Sequence, residues 1–284
     1  MILVTGITGQ LGYDVLKELL RRNADVFGST RKEIDLTTEN GAKSFILDKK
    51  PDTVIHCAAY TAVDKAESEA ELALTVNGLA TRWIAEACRA VNAKMIYVST
   101  DYVFGGDGKR PYEVRDEKKP VNVYGRSKLL GEDAVNAILE RHFIVRVSWV
   151  FGINGKNFVK TMLRLGETKK TLRVVNDQVG SPTYTVDLAK LLANMAETEK
   201  FGTYHASNEG FCSWAEFAEE IFKQSGLDVE IEGIPTIEYP TPARRPFNSR
   251  LSKKSLDENG FKRLPTWQNA LERFIDELSS VDIK

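Results

Sequence analysis

Hydrophobic residues along the chain follow two alternating patterns. Short apolar runs without polar alternation, such as MILVTG and TVIHCAA, are typical of strands that are covered on both faces. Longer segments between them repeat apolar residues every three to four positions, as at Leu11, Val15 and Leu19, which is helical spacing. Strands that alternate with helices over short connections predict an α/β fold with a doubly wound parallel sheet.

The order and length of the predicted strands and helices change near residue 150. Before it, strands are predicted in MILVTG, DVFGS, TVIHCAA, KMIYVST and FIVRVSWVFG, and helices in QLGYDVLKELLRRNA, TENGAKSFILDKK, ESEAELALTVNGLATRWIAEACRAV and from Tyr124 onwards. After it, the strands LRVVNDQ and GTYHASN are shorter, the helices are NFVKTMLRLGE, TVDLAKLLANMAE, SWAEFAEEIFKQSG and TWQNALERFIDELSS, and IPTIEYPTPARRPFNSRL reads as a loop. We therefore expect a larger domain from residues 1–150, to which 184–210 cross back, and a smaller C-terminal α/β domain from 151–183 and 211–284.

The charge balance argues against polyanionic partners. The chain has 284 residues with 39 Lys and Arg against 40 Asp and Glu, so no basic excess indicates nucleic acid or an anionic membrane. No apolar run is long enough to cross a bilayer and no signal peptide is visible, which favours the cytoplasm. Three widely spaced cysteines and three histidines show no metal-ligand spacing, so no metal site is predicted from them.

A glycine-rich turn separates the first strand from the first helix. In GITGQLG, Gly6, Gly9 and Gly12 have the spacing G-x-x-G-x-x-G. Glycine permits a tight turn and a close approach of backbone N–H groups to a pyrophosphate, which then lies at the positive end of the helix. The turn predicts dinucleotide binding in a Rossmann-type fold. The neighbouring cofactor contacts expected in this loop are Thr8, Gln10 and Leu11.

The end of the second strand bears on which dinucleotide binds. An acidic residue there would accept a hydrogen bond from the ribose 2′-hydroxyl of NAD, but the chain reads FGSTRK. Ser29, Thr30 and Arg31 instead offer donors and a positive charge that suit a 2′-phosphate. We therefore expect NADPH, with NADH left open. Asp35, next to Leu36, either accepts from the adenine amino group or caps the following helix.

NVYGRSKLLGE places Tyr124 and Lys128 four residues apart on one face of a predicted helix. The pair alone is weak, since a packed aromatic residue and a solvated lysine give the same pattern. An ammonium group favours the phenolate and so lowers the tyrosine pKa from its ordinary value of about 10. Ser99 and Thr100 end a predicted central strand, where open parallel sheets place their ligands. The combination predicts that Tyr124 protonates an oxyanion formed when hydride reaches a carbonyl carbon.

The motifs together resemble the extended short-chain dehydrogenase/reductases, and among them the dTDP-4-dehydrorhamnose reductases. The similarity runs nearly end to end, through GITGQLG, HCAAYTAVDKAE, VSTDYVFGG, NVYGRSKLLGE, VRVSWVFG, NFVKTMLRLG, VNDQVGSPTY and RRPFNSRL. It implies an enzyme that transfers hydride from NAD(P)H to C4 of dTDP-4-dehydro-β-L-rhamnose, the last step of dTDP-L-rhamnose synthesis. The larger domain would bind the dinucleotide and the smaller domain the nucleotide sugar.

The resemblance also implies roles for single residues. Tyr124 would be the proton donor, Lys128 its activator and Thr100 the group that bonds the keto oxygen. Tyr124 and Lys128 are also expected to contact the cofactor, where the lysine could hold the ribose hydroxyls. Further residues expected along the cofactor are Ala58, Ala59, Tyr60, Asn77 and Ser99, and those expected at the substrate are Val103, Phe104, Trp149, Gln178, Arg244 and Arg245. Core packing is the competing interpretation for Val103, Phe104 and Trp149, and solvated loop positions for the two arginines.

Alternatives remain open at this point. A regulatory subunit of methionine adenosyltransferase resembles the same family, so a non-catalytic nucleotide-binding protein is one alternative, although the intact Thr100, Tyr124 and Lys128 argue against it. Epimerases and dehydratases of the same fold return the hydride and keep their cofactor. Some family members hold Mg²⁺ with acidic residues at a dimer contact. Asp14 falls at one such position without a convincing partner, so Mg²⁺ and a homodimer stay open and an exposed helix position is expected for Asp14.

Overall fold

The computed structural model describes residues 1–281, which fold into parallel strands and flanking helices. The strands are β1 (Ile2–Thr5), β2 (Val26–Ser29), β3 (Thr53–His56), β4 (Lys94–Thr100), β5 (His142–Val147), β6 (Val150–Phe151), β7 (Thr171–Val175), β8 (Val179–Gly180), β9 (Thr183–Tyr184), β10 (Gly202–His205), β11 (Cys212–Ser213) and β12 (Glu230–Ile234). The helices are α1 (Gln10–Arg21), α2 (Glu39–Lys49), α3 (Val63–Ala66), α4 (Ala70–Leu74), α5 (Ala80–Ala90), α6 (Val123–Ile138), α7 (Phe158–Gly166), α8 (Thr185–Ala196), α9 (Trp214–Ser225), α10 (Lys254–Glu258) and α11 (Trp267–Val281).

A six-stranded sheet within these residues has the order β10-β5-β4-β3-β1-β2, and all its neighbouring strands run parallel. Successive strand residues face opposite sides, so that Leu3 and Val54 pack against α2 and α5 while Val4 and Ile55 pack against α1 and α8. Both faces are therefore covered, which explains the unbroken apolar runs. From β1 the chain first forms β2 on one side and then β3, β4 and β5 on the other, so the strand order reverses beside β1. Ligands of such sheets bind at the carboxyl ends of the strands at this reversal.

A second group of hydrophobic side chains belongs to the C-terminal elements. Helices α7, α9 and α11 enclose it together with β7, and its largest fully buried members include Phe151, Phe217 and Phe274. Helix α9 begins with a capping box between Ser213 and Glu216, as its sequence pattern favours. Two short sheets, β12 with β7 and β6 with β9, border this cluster.

The sequence-based elements agree with the structure except in a few segments. The predicted long helix is interrupted by a π-helical turn at Thr75–Leu79, between α4 and α5. The segment FIVRVSWVFG forms β5 and β6, because Trp149 adopts a left-handed conformation with φ of 48° between them. Strand β12 was not predicted, since its residues EIEGI are mostly exposed and its charged side chains conceal the hydrophobic pattern.

Asp14 is a correction to the sequence analysis. It was expected on an exposed helix face, but it is 2% exposed because α1 packs against α8. Its carboxylate accepts a hydrogen bond from the Thr185 hydroxyl, and burial raises its pKa. Among residues 1–281, no cluster of three or more His, Cys, Asp or Glu side chains is arranged to hold a metal ion. In the same range no helix combines the length and apolar character of a membrane span.

Candidate active site

A cavity of about 940 Å³ opens at the carboxyl ends of the central strands, beside the point where β1 separates β2 from β3. Most of the residues singled out in the sequence lie in its wall. The structure brings together Gly6, Thr8, Gly9, Gln10, Leu11, Gly12, Thr30, Arg31, Asp35, Leu36, Ala58, Ala59, Tyr60, Ser99, Thr100, Tyr124, Lys128 and Trp149. Asn77, Val103, Phe104, Gln178, Arg244 and Arg245 lie outside this lining.

The glycine turn after β1 has the shape that a diphosphate requires. Gly6 has a φ of 73°, and a Cβ there would lie 2.7 Å from the Cα of Ala58. At Gly12 a Cβ would lie 2.4 Å from the carbonyl oxygen of Gly6, so a side chain would push α1 away from the turn. Gly9 is the N-cap of α1, and the described residues supply neither a capping side chain nor an acidic group in its first turn. The free N–H groups and the helix dipole therefore suit a pyrophosphate.

A loop from the C-terminal half reaches over this turn. Asn154 donates through Nδ2 to the carbonyl oxygen of Thr8 at 2.9 Å, and Asn157 donates to Gln10 Oε1 at 2.9 Å. Lys156 lies in the cavity wall, where its ammonium group would attract a phosphate. The sequence analysis missed Lys156, because a lone loop lysine carries no local signal.

The end of β2 differs in part from expectation. Ser29 is buried and lines the cavity, and its hydroxyl donates to the Val4 carbonyl oxygen. Asp35 accepts from the backbone and the hydroxyl of Thr37 at 2.9 and 2.7 Å. The capping alternative for Asp35 was wrong, because Thr38 caps α2 by accepting from the Gly41 N–H. Asp35 and Thr30 keep positions in the cavity wall.

Tyr124 and Lys128 lie one turn apart near the start of α6. Asn122 caps this helix, since its Oδ1 accepts from the Gly125 N–H at 2.8 Å. Burial lowers the pKa of Lys128 to about 7, and its ammonium group donates to the Val98 carbonyl oxygen at 2.7 Å. The same nitrogen lies 4.1 Å from the centre of the Tyr97 ring. Lys128 is thus held firmly at the cavity floor.

The expected effect of Lys128 on the tyrosine is not what this structure shows. Burial raises the pKa of Tyr124, and the nearby Thr100 hydroxyl offsets part of this rise. Burial dominates because moving a phenolate out of water raises its free energy by more than the nearby Thr100 hydroxyl lowers it. The phenol is therefore protonated at neutral pH, although its raised pKa also makes it a weaker acid than a free tyrosine.

Thr100 is anchored by a residue that the sequence analysis missed. Its hydroxyl donates to Asp101 Oδ1 at 3.0 Å and accepts from the Tyr102 N–H at 3.2 Å. Asp101 is 4% exposed, and its second oxygen has no partner among the described residues. Burial raises the pKa of Asp101 to about 6, although the nearby hydroxyls of Ser249 and Thr100 lower it in part.

Two polar residues expected at the cofactor, Ser99 and Asn77, use their side chains in hydrogen bonds within the protein. The Ser99 hydroxyl donates to Glu132 Oε1 at 2.6 Å, and Glu132 in turn receives two hydrogen bonds from Arg146 at 2.8 and 2.7 Å. Asn77 lies in the π-helical turn, where its amide accepts from the Tyr60 N–H at 2.8 Å and donates to the Tyr60 carbonyl at 3.0 Å. The turn therefore fixes the backbone along one side of the cavity.

Trp149 and Trp214 form another part of the cavity wall. Their rings stack with centroids 3.7 Å apart, and both line the cavity. A Cβ at Gly180 would lie 2.7 Å from the Trp149 ring, so glycine makes room for the indole. The pocket interpretation of Trp149 agrees with this position. Trp214 was missed because its helix is distant in sequence.

The remaining substrate candidates do not line the cavity. Val103 and Phe104 are buried in a small cluster with Leu251, which is the packing alternative considered above. Gln178 donates to the Thr236 hydroxyl at 3.0 Å. Arg245 pairs with Asp64 at 2.7 Å, while Arg244 is exposed on the same loop.

Known proteins of one family are similar to this chain over nearly its whole length. The sequence model of the RmlD substrate binding domain family matches residues 1–280. The spore coat polysaccharide biosynthesis protein SpsK of Bacillus subtilis is 40% identical over 98% of this chain and 98% of its own length. A dTDP-4-dehydrorhamnose reductase of Sinorhizobium fredii is 40% identical over 96% of this chain and 95% of its own. The crystal structure of dTDP-4-dehydrorhamnose reductase from Bacillus anthracis in complex with NADP is 42% identical and has a TM-score of 0.94, covering 97% of this chain and 98% of that one.

The doubly wound sheet and the Thr–Tyr–Lys arrangement at its carboxyl edge are those of an extended short-chain dehydrogenase/reductase, a nicotinamide-dependent oxidoreductase. The similarity spans nearly the whole chain and includes relatives of the same length. Within this class, the chain belongs to the dTDP-4-dehydrorhamnose reductase family.

Proposed function

We propose that the protein reduces the C4 keto group of dTDP-4-dehydro-β-L-rhamnose to give dTDP-L-rhamnose, with NADPH or NADH as the reductant. The observation that carries the proposal is the meeting of Thr100, Tyr124 and Lys128 in one cavity with the glycine turn. The related structure in complex with NADP supports the choice of cofactor. The glycine turn and the uncapped start of α1 would hold the diphosphate.

The cofactor supplies a hydride, and the side chains around it control the substrate and the proton. The Thr100 hydroxyl, which donates to Asp101 here, has to turn towards the keto oxygen to polarise the carbonyl. Tyr124 then gives its proton to that oxygen as negative charge develops. Lys128, held by the Val98 carbonyl oxygen, would hold the ribose hydroxyls of the cofactor.

The proposed division into two domains assigns the sugar nucleotide to the smaller one. We propose that residues 1–150 and 184–210 bind the dinucleotide, and that 151–183 and 211–284 bind the substrate. Trp149 and Trp214 would present their stacked rings to the sugar or base, as aromatic residues often do in ligand pockets. The exposed Arg244 would be available to a diphosphate as it stands, whereas Arg245 would first have to leave Asp64. The free thiols of Cys57, Cys88 and Cys212 suit a cytoplasmic location.

The decisive experiment follows oxidation of the reduced nicotinamide with the 4-keto sugar nucleotide as substrate. We expect turnover by the wild-type protein and a loss of roughly 10²–10⁴-fold for Tyr124→Phe, the usual effect of removing a positioned acid. Tight cofactor binding without turnover would favour a regulatory nucleotide-binding protein instead. A purified protein that retains NAD and consumes none would favour an epimerase or dehydratase.

A further inference from the structure

Glu33 occupies the donors at the end of β2 that a cofactor phosphate would need. Its Oε2 accepts from the Thr30 N–H at 2.7 Å and from the Thr30 hydroxyl at 2.6 Å. The Lys32 N–H donates back to the Thr30 hydroxyl at 3.1 Å, so the hydroxyl is oriented as well as occupied. The hydroxyl and then the backbone N–H of Thr30 lower the pKa of Glu33, which keeps this exposed carboxyl ionised at neutral pH.

Thr30 lies where the adenosine ribose is expected. It follows β2 directly and lines the cavity next to Arg31. In dinucleotide-binding folds, the residues at this strand end contact the ribose 2′ position, with acids accepting from a 2′-hydroxyl and cations or neutral donors binding a 2′-phosphate. A carboxylate that already takes two donors from Thr30 resembles a bound phosphate oxygen in charge and in hydrogen bonding.

We propose that Glu33 sets the preference between NADPH and NADH by competing with the 2′-phosphate for the two Thr30 donors. The inference rests on the proposed function, because it assumes that the cavity binds a nicotinamide dinucleotide. To bind NADPH, the carboxylate has to leave Thr30 and then remains near a second negative group. NADH has no 2′-phosphate, so it binds without displacing Glu33. The chain therefore prefers NADPH over NADH less strongly than it would if Thr30 and Arg31 bound the cofactor without Glu33 beside them.

The competing explanation is a local capping interaction with no effect on the cofactor. The segment Thr30 to Glu33 has the T-x-x-E spacing of a capping box, in which the glutamate side chain bonds the first N–H of a turn. Glu33→Gln separates the two explanations. Glutamine keeps an oxygen acceptor for Thr30, so the turn is retained, but it removes the negative charge.

The test measures dissociation constants of NADPH and NADH by fluorescence titration without a sugar substrate. Two unit charges about 4 Å apart in water repel by an amount that changes an equilibrium constant about fivefold. We expect Glu33→Gln to bind NADPH about fivefold more tightly at low salt while NADH binding is unchanged, and the gain to shrink as salt is added. Glu258→Gln is the matched control: Glu258 is 60% exposed on α10 and pairs with Lys254, which does not line the cavity, whereas Thr30, the partner of Glu33, does.

A second background tests the role of the Thr30 donors. In Thr30→Ala the carboxylate loses its hydroxyl donor, so Glu33→Gln should change the NADPH to NADH ratio less than it does in the wild type. Competition for Thr30 would be overturned if Glu33→Gln changed the NADPH to NADH affinity ratio equally in the wild-type and Thr30→Ala backgrounds. It would also be overturned if Glu33→Gln left this ratio unchanged or shifted it in favour of NADH. If the wild-type chain binds neither dinucleotide, the proposed function fails and this inference fails with it; normal binding with an unchanged ratio refutes this inference alone.

Discussion

Asp101→Asn should change how the stability of the protein depends on pH. Asp101 lies beside Thr100, is 4% exposed and has one oxygen without a partner among the described residues. Burial raises its pKa from 3.8 to about 6. Because the folded-state pKa is the higher one, the native protein binds more protons than the unfolded chain between these values. The stability that protonated Asp101 contributes is therefore lost as pH rises through this window.

The size of the effect follows from the shift. A rise from 3.8 to about 6 is roughly two pKa units, which corresponds to about 3 kcal/mol of unfolding free energy as an upper value. Asparagine does not titrate and keeps an oxygen for the Thr100 hydroxyl. Between about pH 4 and pH 7 the variant should therefore gain up to about 3 kcal/mol relative to the wild type. Any constant cost of burying the amide leaves this slope unchanged.

Urea unfolding followed by circular dichroism at several pH values and constant salt measures this difference directly. Subtracting the wild-type curve cancels the titration of all other groups. Asp228→Asn provides the control, because Asp228 is exposed and the same replacement there removes one carboxylate at the surface. A pH-independent difference for Asp101→Asn would show that the carboxyl does not titrate as its burial requires.

Three further predictions concern the cofactor turn, the buried ion pair and the proton donor. Gly6→Ala should weaken dinucleotide binding at least tenfold by titration, because its Cβ would meet the Ala58 backbone at 2.7 Å in a left-handed conformation; retained affinity would contradict this. Glu132→Gln should lower the unfolding free energy by about 3–5 kcal/mol, since it leaves the guanidinium of Arg146 buried without a negatively charged partner, and a change below about 1 kcal/mol would refute the ion-pair argument. Tyr124→Phe should leave the dissociation constant of the cofactor within about twofold while turnover falls by the factor given above; a parallel loss of affinity would assign the tyrosine to binding.

The sequence predicted the larger sheet well because strands covered on both faces and amphipathic helices have distinct spacing. The glycine turn and the Tyr124–Lys128 pair were predictable for a similar reason, since each depends on residues close together in the chain. Asn77 and Ser99 were harder, because their hydrogen-bond partners come from distant segments. The π-helical turn that aims Asn77 at Tyr60 has no clear signature in the apolar pattern.

The same limit applies to charge and burial. The sequence could not show that burial, and not Lys128, dominates the pKa of Tyr124, since that depends on how completely the fold removes water. Nor could it show that Glu33 holds the donors of Thr30, because either residue alone looks like part of an exposed loop. Val103 and Phe104 were assigned to the substrate from their nearness to Thr100 in sequence, whereas the 3₁₀ turn at Asp101–Val103 directs the chain into the interior.

The stacked pair of Trp149 and Trp214 also gives the protein an optical reporter. Indoles whose centroids lie 3.7 Å apart share their excited states, so their near-ultraviolet circular dichroism differs from that of isolated rings. The chain has four tryptophans, and two of them form this pair in the cavity wall. A ligand that separates or shields these rings would change the dichroic signal and quench emission without any attached dye. Binding of unlabelled sugar nucleotides could therefore be followed spectroscopically in the native chain. Trp149→Phe keeps Trp214 in the cavity wall but removes the pair, so it shows which part of the signal comes from the stacked rings.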